Sequence, residues 1–194
     1  MNSQRKSYIE QLYQRYHADD AKQTDRLNRW RSIEPESAEL LALLIIGKQA
    51  KRLLEIGTSG GYSTLWLADA AEQTGGHLTT IEIEAGRLQT ATAHLTQVGL
   101  SGIVTPICTD ALTFLQENKT SYDWILLDAE RPAYASYWAY LTECLAEKGS
   151  MLVVDNVISH REQVSSFIAL VQEDKRFQST VLPIGAGLFL IVRC

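Results

Sequence analysis

The chain has few of the residues that mark several protein classes. It holds three cysteines, four prolines and two methionines in 194 residues. Cys108, Cys144 and Cys194 are odd in number and widely spaced, which fits neither a disulfide framework nor a zinc knuckle. A reducing cytoplasm is the expected compartment. No apolar run reaches the ~20 residues that a bilayer-spanning helix needs, so no membrane partner is expected. The opening MNSQRKSYIEQ lacks the apolar stretch of a secretory leader, so none is expected. Long basic runs are absent and the net charge is −5, which argues against a nucleic-acid partner with its Lys/Arg-rich footprint. No internal repeat or low-complexity segment occurs.

What remains is an ordinary globular composition, 45% hydrophobic and 21% charged, long enough for one domain with a full core. The chain is organised around RLLEIGTSGGYST, Arg52 to Thr64. A short apolar run leads into Gly57, Gly60 and Gly61, and a helical pattern begins at Tyr62. This is the grammar of a buried parallel strand turning tightly into a helix, with backbone N–H groups free at the helix start. A dinucleotide fingerprint would need glycines at 55, 57 and 60, but position 55 is Glu55. A carboxylate is a poor neighbour for a pyrophosphate and a good one for a cation. The turn therefore reads as a site for S-adenosylmethionine, with its sulfonium and ammonium groups, and an NAD-dependent oxidoreductase is disfavoured.

Along the chain, Tyr8, Ile9, Leu12, Tyr13 and Tyr16 make an apolar stripe at helical spacing, set against the domain or a second subunit. Asp19 to Ser32 reads as a polar loop or short helix with Trp30 as its one large anchor. Pro35 suits the first turn of a helix whose buried side is Leu40, Leu41, Leu43, Leu44 and Ile45, with Gly47 as its stop. Helices are expected over 63–71, 85–98, 111–117, 133–145 and 162–172. Strands are expected at the Leu53–Ile56 run and over 77–83, 104–108, 122–127 and 151–154. That alternation gives a parallel sheet covered on both faces. Residues 177–182 and 188–192, joined by the short Pro183–Gly187 loop, read as a reversed final hairpin.

Ligands of open α/β sheets sit beyond the carboxyl ends of the strands, and each of these strand ends carries an acid. Glu55 precedes the glycine turn, and Glu82, Asp110, Asp128 and Asp155 with Asn156 follow the later strands. Glu82 stands where a ribose would be met. Asp110 stands where an adenine amino group would be met, and it also suits a helix cap. Asp128, Asp155 and Asn156 offer three oxygens with no Cys or His, a set for Mg²⁺ (or Ca²⁺/Mn²⁺) with positions left for a substrate bearing two adjacent hydroxyls.

LLEIGTSGGYS, TTIEIE, WILLDAERPAY, MLVVDNV and VLPIGAGLFL, in that order, resemble the cation-dependent S-adenosylmethionine O-methyltransferases, the catechol and caffeoyl-CoA O-methyltransferases and their small bacterial relatives. The resemblance runs from Glu34 to the C-terminus. It implies a Rossmann-like class I methyltransferase, an α/β fold with a mostly parallel seven-stranded sheet, a reversed C-terminal hairpin and helices on both faces. Residues 1–34 would be an N-terminal helical extension and 35–194 the methyltransferase domain. Donor contacts would be Gly57, Gly61, Ser63, Glu82 and Asp110, with Glu55 and Asp128 close by, and the cation ligands Asp128, Asp155 and Asn156. The acceptor would be a small aromatic molecule, and a homodimer is expected. One departure stands out. Where such enzymes usually carry a lysine that assists deprotonation, this chain has Arg131, which stays protonated but can hold a phenolate electrostatically. His160 is a further candidate to take the proton. Tyr134, Tyr137, Trp138 and Tyr140 either wall the acceptor or pack a helix on the sheet. Two other readings stay open: methylation of another acceptor such as a tRNA hydroxyl, and donor binding without turnover because of Arg131.

Overall fold

The computed structural model describes residues 1–194. Seven strands form one sheet in the spatial order β3-β2-β1-β4-β5-β7-β6. They are β1 (Arg52–Ile56), β2 (His77–Glu82), β3 (Val104–Cys108), β4 (Trp124–Leu127), β5 (Met151–Val154), β6 (Phe177–Leu182) and β7 (Leu188–Arg193). The first five are parallel, and β7 runs antiparallel between β5 and β6, so the reversed hairpin stands as expected. No helix is long and apolar enough to cross a membrane.

Two cores flank the sheet. Helices α1 (Ser3–Asp20), α2 (Pro35–Lys48), α3 (Tyr62–Thr74) and α4 (Ala85–Gln97) cover one face, and α5 (Ala111–Glu117), α6 (Tyr134–Cys144) and α7 (Arg161–Glu173) cover the other. Strand alternation divides β1 between them: Leu53 enters the first core, and Leu54 and Ile56 the second.

Several boundaries differ from expectation for identifiable reasons. Helix α2 runs through Gly47, and Gln49 takes the left-handed turn instead (φ 57°), its N–H closing on the Ile45 and Ile46 carbonyls. The buried face of α2 is Ser37, Ala38, Leu41, Ala42 and Ile45, which leaves Leu43 65% exposed. Residues 1–34 do not stand off as an extension, because Ile9, Leu12 and Tyr16 are buried in the first core. The apolar stripe therefore packs against the domain, with Tyr8 and Tyr13 partly buried at its edge.

Glycine is required where α3 meets α4. Gly61 has φ 88°, and a Cβ there would lie 2.7 Å from the Ala91 Cβ and 2.9 Å from its Cα. Gly47 has only open space around it. Gly61→Ala is thus expected to lose about 2 kcal/mol or more through overpacking and a strained φ, and Gly47→Ala to gain about 0.5–1 kcal/mol of helix propensity. Urea-unfolding midpoints of the two variants check the opposite signs.

Candidate active site

The carboxyl ends of β2, β1, β4 and β5 open into a cavity of about 560 Å³. Gly57 follows β1 with φ 108°, and a Cβ on it would fall 1.9 Å from the Asp128 carbonyl oxygen, so the chain just past the two strand ends touches backbone to backbone. Thr58, Ser59 and Gly60 carry the turn along the cavity wall, and Ser63 lies on that wall at the start of α3. Gly61 does not reach the wall and serves the α3–α4 packing described above.

Glu55 stands behind the turn. It is fully buried, and its carboxylate accepts from Ser63 Oγ, Thr64 Oγ1 and Thr80 Oγ1, each at 2.6 Å. The structure thus corrects the expectation of a direct cationic contact at Glu55: the side chain points into the α3 face and fixes Ser63, which itself lines the cavity. Burial outweighs the three hydroxyl donors and lifts the Glu55 pKa to about 7.

Glu82 is fixed from the backbone, accepting from Ser59 N at 2.8 Å and Glu84 N at 3.0 Å, and it lines the cavity. Asp110 caps α5, with Oδ1 accepting from Thr113 N at 3.0 Å, and also lines the cavity. The capping role read from the sequence is present, and the cap leaves the residue on the cavity wall.

On the other side, β4 and β5 are neighbours and bring Asp128, Asp155 and Asn156 to one point. Asn156 Nδ2 donates to Asp155 Oδ2 at 2.9 Å and to Asp128 Oδ1 at 3.3 Å. Asp155 Oδ1 is buried with no partner. Burial, and then the charge of Asp128, push the Asp155 pKa up to about 8; burial lifts Asp128 to about 6 against the pull of Arg131 and Arg31. No group of three or more His, Cys, Asp or Glu side chains gathers anywhere in the fold, so a cation here would rest on two carboxylates and one amide. The residues fit such an ion: an unpartnered buried oxygen and an acid whose pKa its neighbour raises mark a place short of positive charge, and the oxygen donors suit a hard cation.

Arg131 is buried beside this trio, and its Nε donates to Gln163 Oε1 at 2.9 Å. His160 also lines the cavity. Its Nδ1 lies 2.9 Å from Ser159 Oγ, whose hydroxyl donates to the Asn156 carbonyl. Burial and the charges of Arg131 and Arg26 hold the His160 pKa below its ordinary value. Of the aromatic group, only Tyr137 reaches the cavity. Tyr134 is buried with its hydroxyl bridging the Ala129 N–H and carbonyl, Trp138 belongs to the second core, and Tyr140 packs against that core. The aromatic cluster is thus mainly packing.

The segment from Arg26 to Glu34 was not foreseen as part of the site, yet it forms one wall of the cavity. Trp30 stacks on Tyr16 with ring centroids 4.5 Å apart. Ser59 Oγ donates to the Trp30 carbonyl at 2.7 Å, and Arg87 donates to the Arg29 carbonyl at 3.0 Å. These ties are long-range and leave no local pattern; the lone Trp30 in a polar stretch was the available signal.

The Glu55 shift has a consequence for stability. Its folded-state pKa of about 7 lies above the ordinary 4.5, so the folded state holds the proton more tightly. The stability this contributes is complete below about pH 4.5 and is lost as pH rises through 7, on the order of 3 kcal/mol in all. Glu55→Gln is expected to flatten the fall of thermal stability between pH 5 and 8, and melting temperatures across that range, wild type against variant, measure it.

A family model described as O-methyltransferase matches residues 3–194. The catechol O-methyltransferase of Niastella koreensis is 34% identical over 131 residues, which are 66% of this chain and 58% of that protein. The catechol O-methyltransferase of Mycobacterium tuberculosis is 33% identical over 144 residues, 73% of this chain and 62% of that protein. The matches thus span about three fifths of the length of these curated relatives. Among solved structures, the O-methyltransferase TomG of Streptomyces achromogenes, in complex with SAM, has a TM-score of 0.79 at 24% identity, covering 100% of this chain and 91% of that one. The O-methyltransferase of Bacillus cereus, in complex with SAH, has a TM-score of 0.79 at 24% identity, covering 97% and 91%. At that identity the two structures speak for the fold. With the family model spanning nearly every residue, from α1 through the reversed hairpin, this chain belongs to the O-methyltransferase family.

Proposed function

We propose that this protein transfers the methyl group of S-adenosylmethionine to a hydroxyl of a small catechol-like molecule, with a divalent cation, Mg²⁺ first among them, at Asp128, Asp155 and Asn156. The observation that carries the reading is the convergence of a buried carboxylate, a half-buried one and an amide, one carboxylate oxygen unpartnered, in the same cavity as the glycine turn. The catechol-directed names of two relatives support the acceptor class. A cavity of about 560 Å³ lies within the ~300–1,000 Å³ of small-molecule sites.

Glu82, held by two backbone N–H groups, is set to accept from ribose hydroxyls. Ser63 and the turn at Gly57 form the wall at the donor's amino-acid end. The cation, when bound, lowers the pKa of a coordinated hydroxyl and fixes its direction. Arg131, buried and permanently charged, stabilises the phenolate. His160, on the same cavity wall and with its pKa held down by burial and by Arg131, takes the released proton. The 26–34 wall limits water, so that placing the oxygen in line with the methyl carbon supplies much of the rate.

Purified protein with S-adenosylmethionine, Mg²⁺ and catechol is expected to form methylated product, and EDTA to stop it. Asp155→Ala is expected to lower kcat by about a hundredfold, near 3 kcal/mol of barrier, and to abolish the Mg²⁺-induced rise in melting temperature while circular dichroism stays unchanged. Full turnover in EDTA, or in Asp155→Ala, overturns the cation assignment; tight donor binding with no product on any acceptor overturns the reading of an active enzyme. Arg131→Lys is expected to keep kcat equal or higher. A fall beyond tenfold would give the guanidinium a role that an ammonium cannot fill.

A further inference from the structure

Three side chains hold the glycine turn from outside the cavity, and His94 is the middle one. Tyr8 and Tyr16 come from α1 and His94 from α4, and none of the three lines the cavity. Tyr16 is buried, and its hydroxyl donates to the Gly60 carbonyl at 2.9 Å. A carbonyl only accepts, so that bond uses the one hydroxyl proton. The contact of His94 Nε2 with the same oxygen, at 2.9 Å, is then donated by the ring. Nδ1 of the neutral imidazole is left to accept, and Tyr8 Oη stands 2.7 Å from it. Burial and the charge of Arg15 hold the His94 pKa below its ordinary value, which favours that neutral ring. One direction of hydrogen bonding thus runs from Tyr8 through His94 and Tyr16 to Gly60.

The receiving end is a strained piece of backbone. Ser59, the residue before Gly60, has φ 47°, a left-handed conformation that costs a residue with a side chain about 1 kcal/mol. Its N–H donates to Glu82 Oε2 at 2.8 Å, so the place of that carboxylate depends on the turn. Gly60 lies flush against the tyrosine: a Cβ on it would fall 2.6 Å from Tyr16 Oη. A shift of the Tyr16 hydroxyl is therefore passed to Gly60, and from there to Ser59 and Glu82. Besides Gly60, only His94 holds that hydroxyl.

We infer that His94 is a positioning residue for the methyl donor: acting through Tyr16, it fixes the Ser59–Gly60 turn and with it Glu82, and so sets the affinity for the adenosyl ligand without touching it. The inference rests on the methyl-transfer reading above and deepens its account of the donor site. A buried chain of hydrogen bonds restricts the turn in advance, and the ligand is spared the cost of ordering it. The effect belongs to donor binding, since Asp128, Asp155 and Asn156 stand on the other flank of the sheet's reversal point.

The test is calorimetric titration with S-adenosylhomocysteine. His94→Phe, which keeps a ring and loses the donor, is expected to weaken binding about tenfold, the upper range for one hydrogen bond. His94→Gln, whose amide N–H can meet the same hydroxyl, is expected to restore most of it. In a Tyr16→Phe background, His94→Phe is expected to add nothing further, because the hydroxyl it acts on is gone. In turnover the loss falls on KM for S-adenosylmethionine rather than on kcat, and the Mg²⁺-induced rise in melting temperature stays. Hydrogen exchange of the 57–61 amides in ligand-free protein is expected to be faster in His94→Phe than in wild type or His94→Gln. Tyr8→Phe, at the half-buried end of the chain, is expected to act in the same direction and more weakly, and it carries the test where His94→Phe does not fold. Unchanged affinity and exchange in the variants, equal losses in His94→Gln and His94→Phe, or additive losses in the double variant overturn the positioning role and leave methyl transfer intact. A wild type that binds no S-adenosylhomocysteine overturns the methyl-transfer reading instead, and the exchange comparison still decides whether His94 holds the turn.

Discussion

The site depends on one close approach, that of the Gly57 backbone to the Asp128 carbonyl. Strands β1 and β4 are parallel neighbours with Ile56 opposite Leu127, so the residues that follow meet just past the end of the ladder. A side chain at 57 would occupy the carbonyl itself. With nothing there, the turn that begins at Gly57 and the acid that follows β4 share one lip, separated by about the ~4.8 Å spacing of adjacent strands. The pair marks the point where strand order reverses: β2 and β3 lie to one side of β1, and β4 and β5 to the other. Glu82 is thus delivered on one flank and Asp155 with Asn156 on the other. The chemistry in the cavity is ordered by the sheet.

Much of this was legible because it is periodic or local. The strand–helix alternation, the closing hairpin and the acids at strand ends follow from spacing along the chain. Glu55 shows where local reading failed. It was read as a lip residue, but it belongs to the strand proper, opposite Thr80 in the register, and its alternation with Ile56 sends the carboxylate into the α3 face. Counting back from Gly57 with a period of two would have found this. Gly47 failed for another reason: a glycine ends a helix only where φ must turn positive, and here Gln49 does so. The 26–34 wall had no period to read, since it is placed by Asp20, Ser59, Arg87 and Tyr16, partners that only the fold brings near.

Those partners also explain why the first 34 residues belong to the domain. Tyr16 donates to the Gly60 carbonyl at 2.9 Å, meets His94 Nε2 at 2.9 Å and stacks under Trp30. Tyr8 holds the other ring nitrogen of His94 at 2.7 Å. Helix α1 thereby fixes the glycine turn from outside while Glu55, through Ser63 and Thr64, fixes it from within. A turn rich in glycine has high conformational freedom, and a binding site gains from having that freedom removed before the ligand arrives.

The same economy governs the acid pair. Asp155 is buried, Asp128 half-buried, and Arg131 and Arg31 are the cations that act on the pair, so two close carboxylates favour a proton or a cation between them. Burial and the charge of Asp128 push the Asp155 pKa up to about 8, so the pair holds a proton more readily than exposed aspartates do. A divalent ion held by Asp128, Asp155 and Asn156 would meet the unpartnered Oδ1 and would compete with a proton there, so its affinity would rise with pH. Arg131 sets how far the balance tips, since its fixed charge draws the Asp128 pKa down and favours the ionised carboxylate. An arginine at this position is therefore more than a failed base: it acts on the acid beside it rather than on a proton of its own.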